Sequence, residues 1–221
     1  MEKKVFLASS FEDVFTLLPK FLGKLEGKRI TFIPTASIVE EVNFYVESGK
    51  KSLEKLGAVV DELNISVASK EEIYSKIVNN DMIYVTGGNT FFLLQEMKKS
   101  AADKIIIQEV NSGKPYIGES AGAVVATPNI EYISLMDNAE AAPSLKEFDS
   151  LNMIDFYILP HYNNEPFKDM AAKIANEYSS EINLKMINNN QVILVDGDKI
   201  SVESVESVES VESVESVESV E

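Results

Sequence analysis

The segment Gly118-Glu119-Ser120-Ala121-Gly122 sets a serine between glycines two positions before it and two after. On a tight strand-to-helix turn, a strained backbone projects such a hydroxyl, and small neighbours let backbone and substrate come close. The bland alternative is an N-cap serine at an ordinary junction. A serine hydroxyl is a poor nucleophile unless a neighbouring base takes its proton. The chain has one imidazole, His161, which follows the apolar run Phe156-Tyr157-Ile158-Leu159 and Pro160. That places it at a strand exit, where active sites of open α/β sheets collect. A lone histidine can equally be structural, and it is Ser120 that gives His161 a role as general base. Together the two can perform acyl transfer.

A third group should fix the imidazole tautomer and stabilise the imidazolium. The carboxylates between Ser120 and His161 are Glu131, Asp137, Glu140, Glu147, Asp149 and Asp155. Asp137, in a polar loop after an expected strand, is preferred, with Glu140 next. The helix expected from about 121 to 126 would aim its free amides at the nucleophile, so the Ala121 N–H can serve a developing oxyanion. A second donor is expected from Thr86-Gly87-Gly88-Asn89-Thr90, where two glycines between a strand and a helix let backbone approach a ligand. The plain alternatives are a glycine-rich turn or a phosphate cradle. The chain lacks both the P-loop lysine pattern and the full G-x-G-x-x-G fingerprint, which disfavours a nucleotide role.

These residues need a frame, and the body supplies alternating strand and helix patterns, as in an α/β domain with a mostly parallel sheet. Strands are expected at 4–8, 29–34, 58–63, 82–86, 115–118 and 156–159. Phe11, Val14, Leu17, Leu18 and Phe21 form one helical stripe, and Val42, Tyr45, Val46, Leu53 and Leu56 another. A helix is expected over 165–178. Residues 186–200 read as hairpins turning at Asn188-Asn189-Asn190 and Asp196-Gly197-Asp198.

The 221 residues divide into an α/β domain at 1–200 and a tail at 201–221, Ser-Val-Glu repeated seven times. A period of three matches neither strand nor helix, so the tail reads as an acidic low-complexity appendage. Its first repeat can still complete a hairpin with residues 191–196. The net charge is −16, from 36 acidic and 20 basic residues, and the tail holds seven of the acids. Such a surface argues against nucleic acid as a partner. The absence of cysteine removes disulfides, thiolate metal sites and a cysteine nucleophile. The N-terminal apolar stretch is too short for a secretory leader, and no apolar run reaches the roughly 18 residues of a membrane span. The expectation is therefore a cytoplasmic protein with no membrane partner, no cofactor and no metal. Self-association through the tail is a further option.

Ile33-Pro34-Thr35-Ala36-Ser37, Gly87-Gly88-Asn89-Thr90-Phe91-Phe92-Leu93-Leu94, Gly118-Glu119-Ser120-Ala121-Gly122-Ala123 and Pro160-His161-Tyr162 together resemble the dipeptidase E (aspartyl dipeptidase) family of serine peptidases. The motifs recur in the same order over nearly all of residues 1–200. The resemblance implies a fold like that of class I glutamine amidotransferases, with the nucleophile on an elbow after a central strand. It also implies Ser120 as nucleophile, His161 as base, and Gly88 with Ala121 as oxyanion donors. It supports Asp137 as the acid, since related cyanophycin-degrading peptidases place a carboxylate about two dozen residues before the histidine. Members that cleave after an N-terminal aspartate read its carboxylate with an arginine downstream of the histidine, whereas the only arginine here is Arg29. Lys168 or Lys173 would supply charge without bidentate geometry. Two other readings stand beside this one: a non-peptidase serine esterase or amidase, and a binding or assembly protein acting through the repeats.

Overall fold

The computed structural model describes residues 2–205. Its main sheet has seven strands: β1 (Lys4–Ala8), β2 (Arg29–Ile33), β3 (Val59–Glu62), β4 (Met82–Val85), β5 (Tyr116–Glu119), β8 (Gln191–Asp196) and β9 (Lys199–Ser204). They lie in the order β3-β2-β4-β5-β1-β8-β9, which makes β5 central. The first five are mutually parallel, and β8 and β9 close one side antiparallel. A small second sheet pairs β6 (Tyr157–Leu159) in parallel with β7 (Leu184–Met186).

Alternation along these strands feeds two cores. Val5, Leu7, Ile33, Ile83, Val85 and Tyr116 point to one face and Phe6, Ala8, Phe32, Met82, Tyr84 and Ile117 to the other. The first face is covered by α4 (Lys70–Asn79), α5 (Thr90–Ser100), α6 (Ala102–Asn111), α7 (Ala121–Val124) and α8 (Lys168–Tyr178). The second is covered by α1 (Phe11–Val14), α2 (Leu18–Leu22) and α3 (Phe44–Lys55). The result is the mostly parallel sheet between helices expected from the sequence. Among the described residues no helix is long and apolar enough to cross a membrane.

Three local expectations are corrected. The stripe from Phe11 to Phe21 is two short helices around a 3-10 turn at Phe15–Leu17, because Pro19 lacks the N–H to continue a helix and instead starts a new one. The segment before Asp137 is a 3-10 helix, Glu131–Leu135, not a strand: its amides bond three residues back, Ile133 to Ile130 and Met136 to Ile133. The turn at Asn188-Asn189-Asn190 joins no hairpin, since β7 pairs with β6 and only β8 and β9 form one. In that hairpin Ser201 faces Leu194 and Ser204 faces Gln191, so the first Ser-Val-Glu repeat is a strand of the main sheet. Residues 206–221 of the expected tail lie outside the described residues.

Phe32 is fully buried and stacks on Tyr84, with ring centroids 5.0 Å apart and planes 5° from parallel. Truncating such a ring removes transfer energy and leaves a cavity. Phe32→Ala should therefore cost about 3–5 kcal/mol of unfolding free energy, as measured by urea denaturation.

Candidate active site

The parallel strands β1, β4 and β5 end at one edge of the sheet, and the residues just beyond them meet there. Ser120 follows β5 with φ 48° and ψ −108°, a conformation that L-residues avoid. Its N–H donates to Ala8 O at the end of β1, 2.9 Å away, while its C=O accepts from Ala123 and Val124 in α7. The flanking glycines are steric necessities. A Cβ at Gly118 would stand 2.4 Å from Gly122 O, and one at Gly122 would stand 2.2 Å from Val85 O. The turn is thus pressed against both its own helix and the neighbouring strand.

His161 reaches Ser120 from the exit of β6. Its Nε2 lies 2.9 Å from Ser120 Oγ and its Nδ1 lies 2.8 Å from Asn189 Oδ1. A carbonyl oxygen only accepts, so Nδ1 carries the proton and donates to Asn189, leaving Nε2 to accept from the serine hydroxyl. That is the tautomer a general base needs. The ring also stacks on Phe167, with centroids 4.8 Å apart. The His161 N–H donates to Ser9 Oγ at 3.0 Å, and Ser9 in turn donates to Ile187 O at 3.2 Å. Burial lowers the His161 pKa below its ordinary 6.5, against the upward pull of the Asn189 hydrogen bond.

Asp137 sits elsewhere. Its Oδ2 accepts the Thr90 N–H at 2.9 Å, at the start of α5, and the neighbouring Asn138 carbonyl accepts from Asn89 Nδ2 at 3.0 Å. A carboxylate there complements the helix N-terminus. Packing around it pushes its pKa up to about 6, opposed by its bonds to Thr90. The structure does not bring it to the imidazole, nor does it bring Glu140, which is exposed. Asn189 occupies the place expected for Asp137. Its sequence signal is weak, because it is an amide and not a carboxylate. Asn189 lies beyond both Ser120 and His161, in a run that also reads as a turn. Asn188 Oδ1 accepts from Asn190 N and Asn164 Oδ1 from Asn189 N, each at 2.9 Å, which holds the amide in place.

The Gly87-Gly88 turn lies beside the serine: a Cβ on Gly87 would stand 3.2 Å from Ser120 Cβ. Gly88 has φ 128°, and a Cβ there would stand 2.3 Å from Ala36 C and O, so only glycine fits. Asn89 caps the following helix by accepting from Phe92 N at 2.9 Å. The Gly88 and Ala121 amides have no backbone acceptor among the described residues.

Glu119, directly before the serine, is 4% exposed. Its Oε1 accepts from Phe11 N and its Oε2 from the Tyr84 hydroxyl, both at 2.8 Å. Burial pushes its pKa from 4.5 up to about 7, although these donors and the Gly87 amide pull it back. The folded state therefore holds this proton more tightly than the unfolded chain, and stability falls as pH rises from about 4.5 to about 7. Wild type should lose thermal stability relative to Glu119→Gln across that interval, with the difference levelling off above it. Thermal melts at half-unit pH steps would show it.

With this geometry in view, the model of peptidase family S51 matches residues 5–203. An uncharacterized peptidase of Listeria monocytogenes is 54% identical over 198 residues, covering 90% of this chain and 97% of that protein. An uncharacterized peptidase of Pasteurella multocida is 52% identical over 196 residues, 89% of this chain and 95% of that protein. A protein named peptidase E from Nostoc is 35% identical over 147 residues, 66% of this chain and 57% of its own length. A 1.5 Å crystal structure described as a peptidase E protein from Listeria monocytogenes superposes with a TM-score of 0.90 at 52% identity. It covers 93% of this chain and 100% of that one.

Proposed function

The chain belongs to peptidase family S51, a family of serine peptidases that includes peptidase E, and from that premise we propose that Ser120, His161 and Asn189 are its catalytic set, acting on short peptides. The single observation that carries this reading is the 2.9 Å approach of His161 Nε2 to a serine held at φ 48°.

In this mechanism Ser120 Oγ attacks the peptide carbonyl carbon while His161 Nε2 takes the hydroxyl proton. The Gly88 and Ala121 amides receive the oxyanion. Collapse breaks the C–N bond, with His161 protonating the leaving amine and leaving an acyl ester on Ser120. Water, activated by the same imidazole, then attacks the ester and releases the acid and the free serine. Asn189 holds the ring and its tautomer but brings no negative charge to the imidazolium. Burial lowers the His161 pKa, and the Asn189 hydrogen bond opposes that lowering.

What the sheet edge presents supports a reading of the substrate class. The one arginine, Arg29, opens β2 at the opposite end of the strands, where it bonds Asp61 at 3.1 Å and Asn80 at 3.2 Å. Lys168 and Lys173 are exposed on α8. The residues close to Ser120 supply no guanidinium for an aspartyl side chain. Short peptides with uncharged N-terminal residues fit better.

Labelling with a fluorophosphonate reads the nucleophile without a known substrate. Ser120→Ala should abolish labelling, and His161→Ala should slow it at least a hundredfold with the fold intact. Wild-type labelling should keep an acid limb below pH 6.5, because burial lowers the pKa of the base. Unaltered labelling of the Ser120→Ala protein would sink the assignment. Specificity is checked by a dipeptide panel, in which neutral N-terminal residues should be cleaved at least tenfold faster, in kcat/KM, than aspartate. A preference for aspartate would refute that part.

A further inference from the structure

β9 is the outermost strand, and among the described residues nothing pairs with its far edge. All six of its residues are exposed, with Ile200 at 43% and Val202 at 50%. An edge strand with unpaired N–H and C=O groups is a template for another strand. The hydrogen-bonding phase of this edge is fixed. Val205 N–H donates to Asn190 O at 3.0 Å, in register with the β8–β9 ladder. Odd-numbered residues therefore exchange bonds with β8, and Ile200, Val202 and Ser204 turn N–H and C=O outward.

We propose that β9 pairs antiparallel with β9 of a second copy of this chain, about a twofold axis at Ser201. The phase allows only registers in which outward-facing residues meet outward-facing residues. With the axis at Ser201, Ile200 faces Val202 of the second copy and the two exchange both backbone bonds. Lys199 faces Glu203 of the second copy, and Ser201 faces itself. Lys199 and Glu203 have no ion-pair partner within their own chain among the described residues.

Other axes lose this match. Centring on Ile200 sets Lys199 against Ser201, centring on Val202 sets it against Val205, and centring on Glu203 sets two glutamates opposite each other. Opposite charges facing across an antiparallel pair stabilise it, whereas like charges oppose it. The pairing is isologous, as a twofold dimer requires. It would join two seven-stranded sheets into one and cover Ile200 and Val202 on one face of it. One edge strand is a small interface, so dissociation in the micromolar range is expected.

The chain has no cysteine, so Ser201→Cys carries a single thiol. In this register the two sulfurs meet at a non-hydrogen-bonded pair, with Cα atoms about 4.5 Å apart, which a disulfide can span. Under mild oxidation Ser201→Cys should form a covalent dimer at least ten times faster than Asp198→Cys, whose counterpart across the axis is Ser204. By sedimentation, Val202→Pro should abolish dimerisation, because it removes an outward N–H without touching the bonds to β8. Should Val202→Pro fail to fold, charge reversal still decides. Lys199→Glu and Glu203→Lys should each weaken the dimer at least tenfold, and the double variant should restore it. A wild-type protein that stays monomeric at 500 µM overturns the proposal, as does equal cross-linking of the two cysteine variants. Residues 206–221 doubling back on the same edge would give that monomeric result.

Discussion

The site depends on one strained residue. Ser120 sits at φ 48° and ψ −108° because the chain must leave β5 and enter α7 within a single residue. Nothing local favours that conformation, so its surroundings must impose it. The Ser120 N–H is committed to β1 through Ala8 O, and its C=O is committed to α7. Gly118 and Gly122 then pack so closely against α7 and β4 that a methyl group on either would overlap backbone. Strain is tolerable here because three neighbouring elements share the restraint, and the hydroxyl that results points where His161 can reach it.

A second constraint lies under the same turn. Glu119 is a carboxylate inside an apolar core, held by the Phe11 amide and the Tyr84 hydroxyl. A buried charge without partners would be costly. Its donors come from the segment after β1, from β4 and from the Gly87 turn, the structures that surround Ser120. The residue ties together the supports of Ser120. Asp137 does a similar task one layer out, joining its loop to the start of α5 beside Gly88.

Much of this was legible in the sequence because it rests on sterics and alternation. β1 falls on Lys4–Ala8 as expected, since its alternating residues serve two cores, and the glycines around Ser120 declare a close approach that no other residue permits. His161 was legible by scarcity, as the only imidazole. Asn189 was not. It stands 28 residues past His161, and an amide has none of the charge that singles out a triad acid. Asp137 was attractive for its type and spacing, but the free amide of Thr90 at a helix start competes for it. The first Ser-Val-Glu repeat takes the hairpin place beside residues 191–196 that the sequence offered it, because pairing with β8 overrides the weak intrinsic preference of a period of three.

The amide at position 189 also changes how the imidazole must be held. A carboxylate attracts the imidazolium over a distance and tolerates small displacements, whereas a neutral carbonyl acts through hydrogen-bond geometry alone. The structure compensates with restraint. Asn189 is fixed through its backbone to Asn164, which belongs to the same loop as His161. Asn190, one residue on, accepts from Val205 beyond the end of β9. Phe167 stacks on the ring, and Ser9 pins the His161 amide to the end of β1. What Asn189 lacks in charge is thus replaced by fixed geometry, and part of that geometry comes from the repeat segment at the end of the sheet.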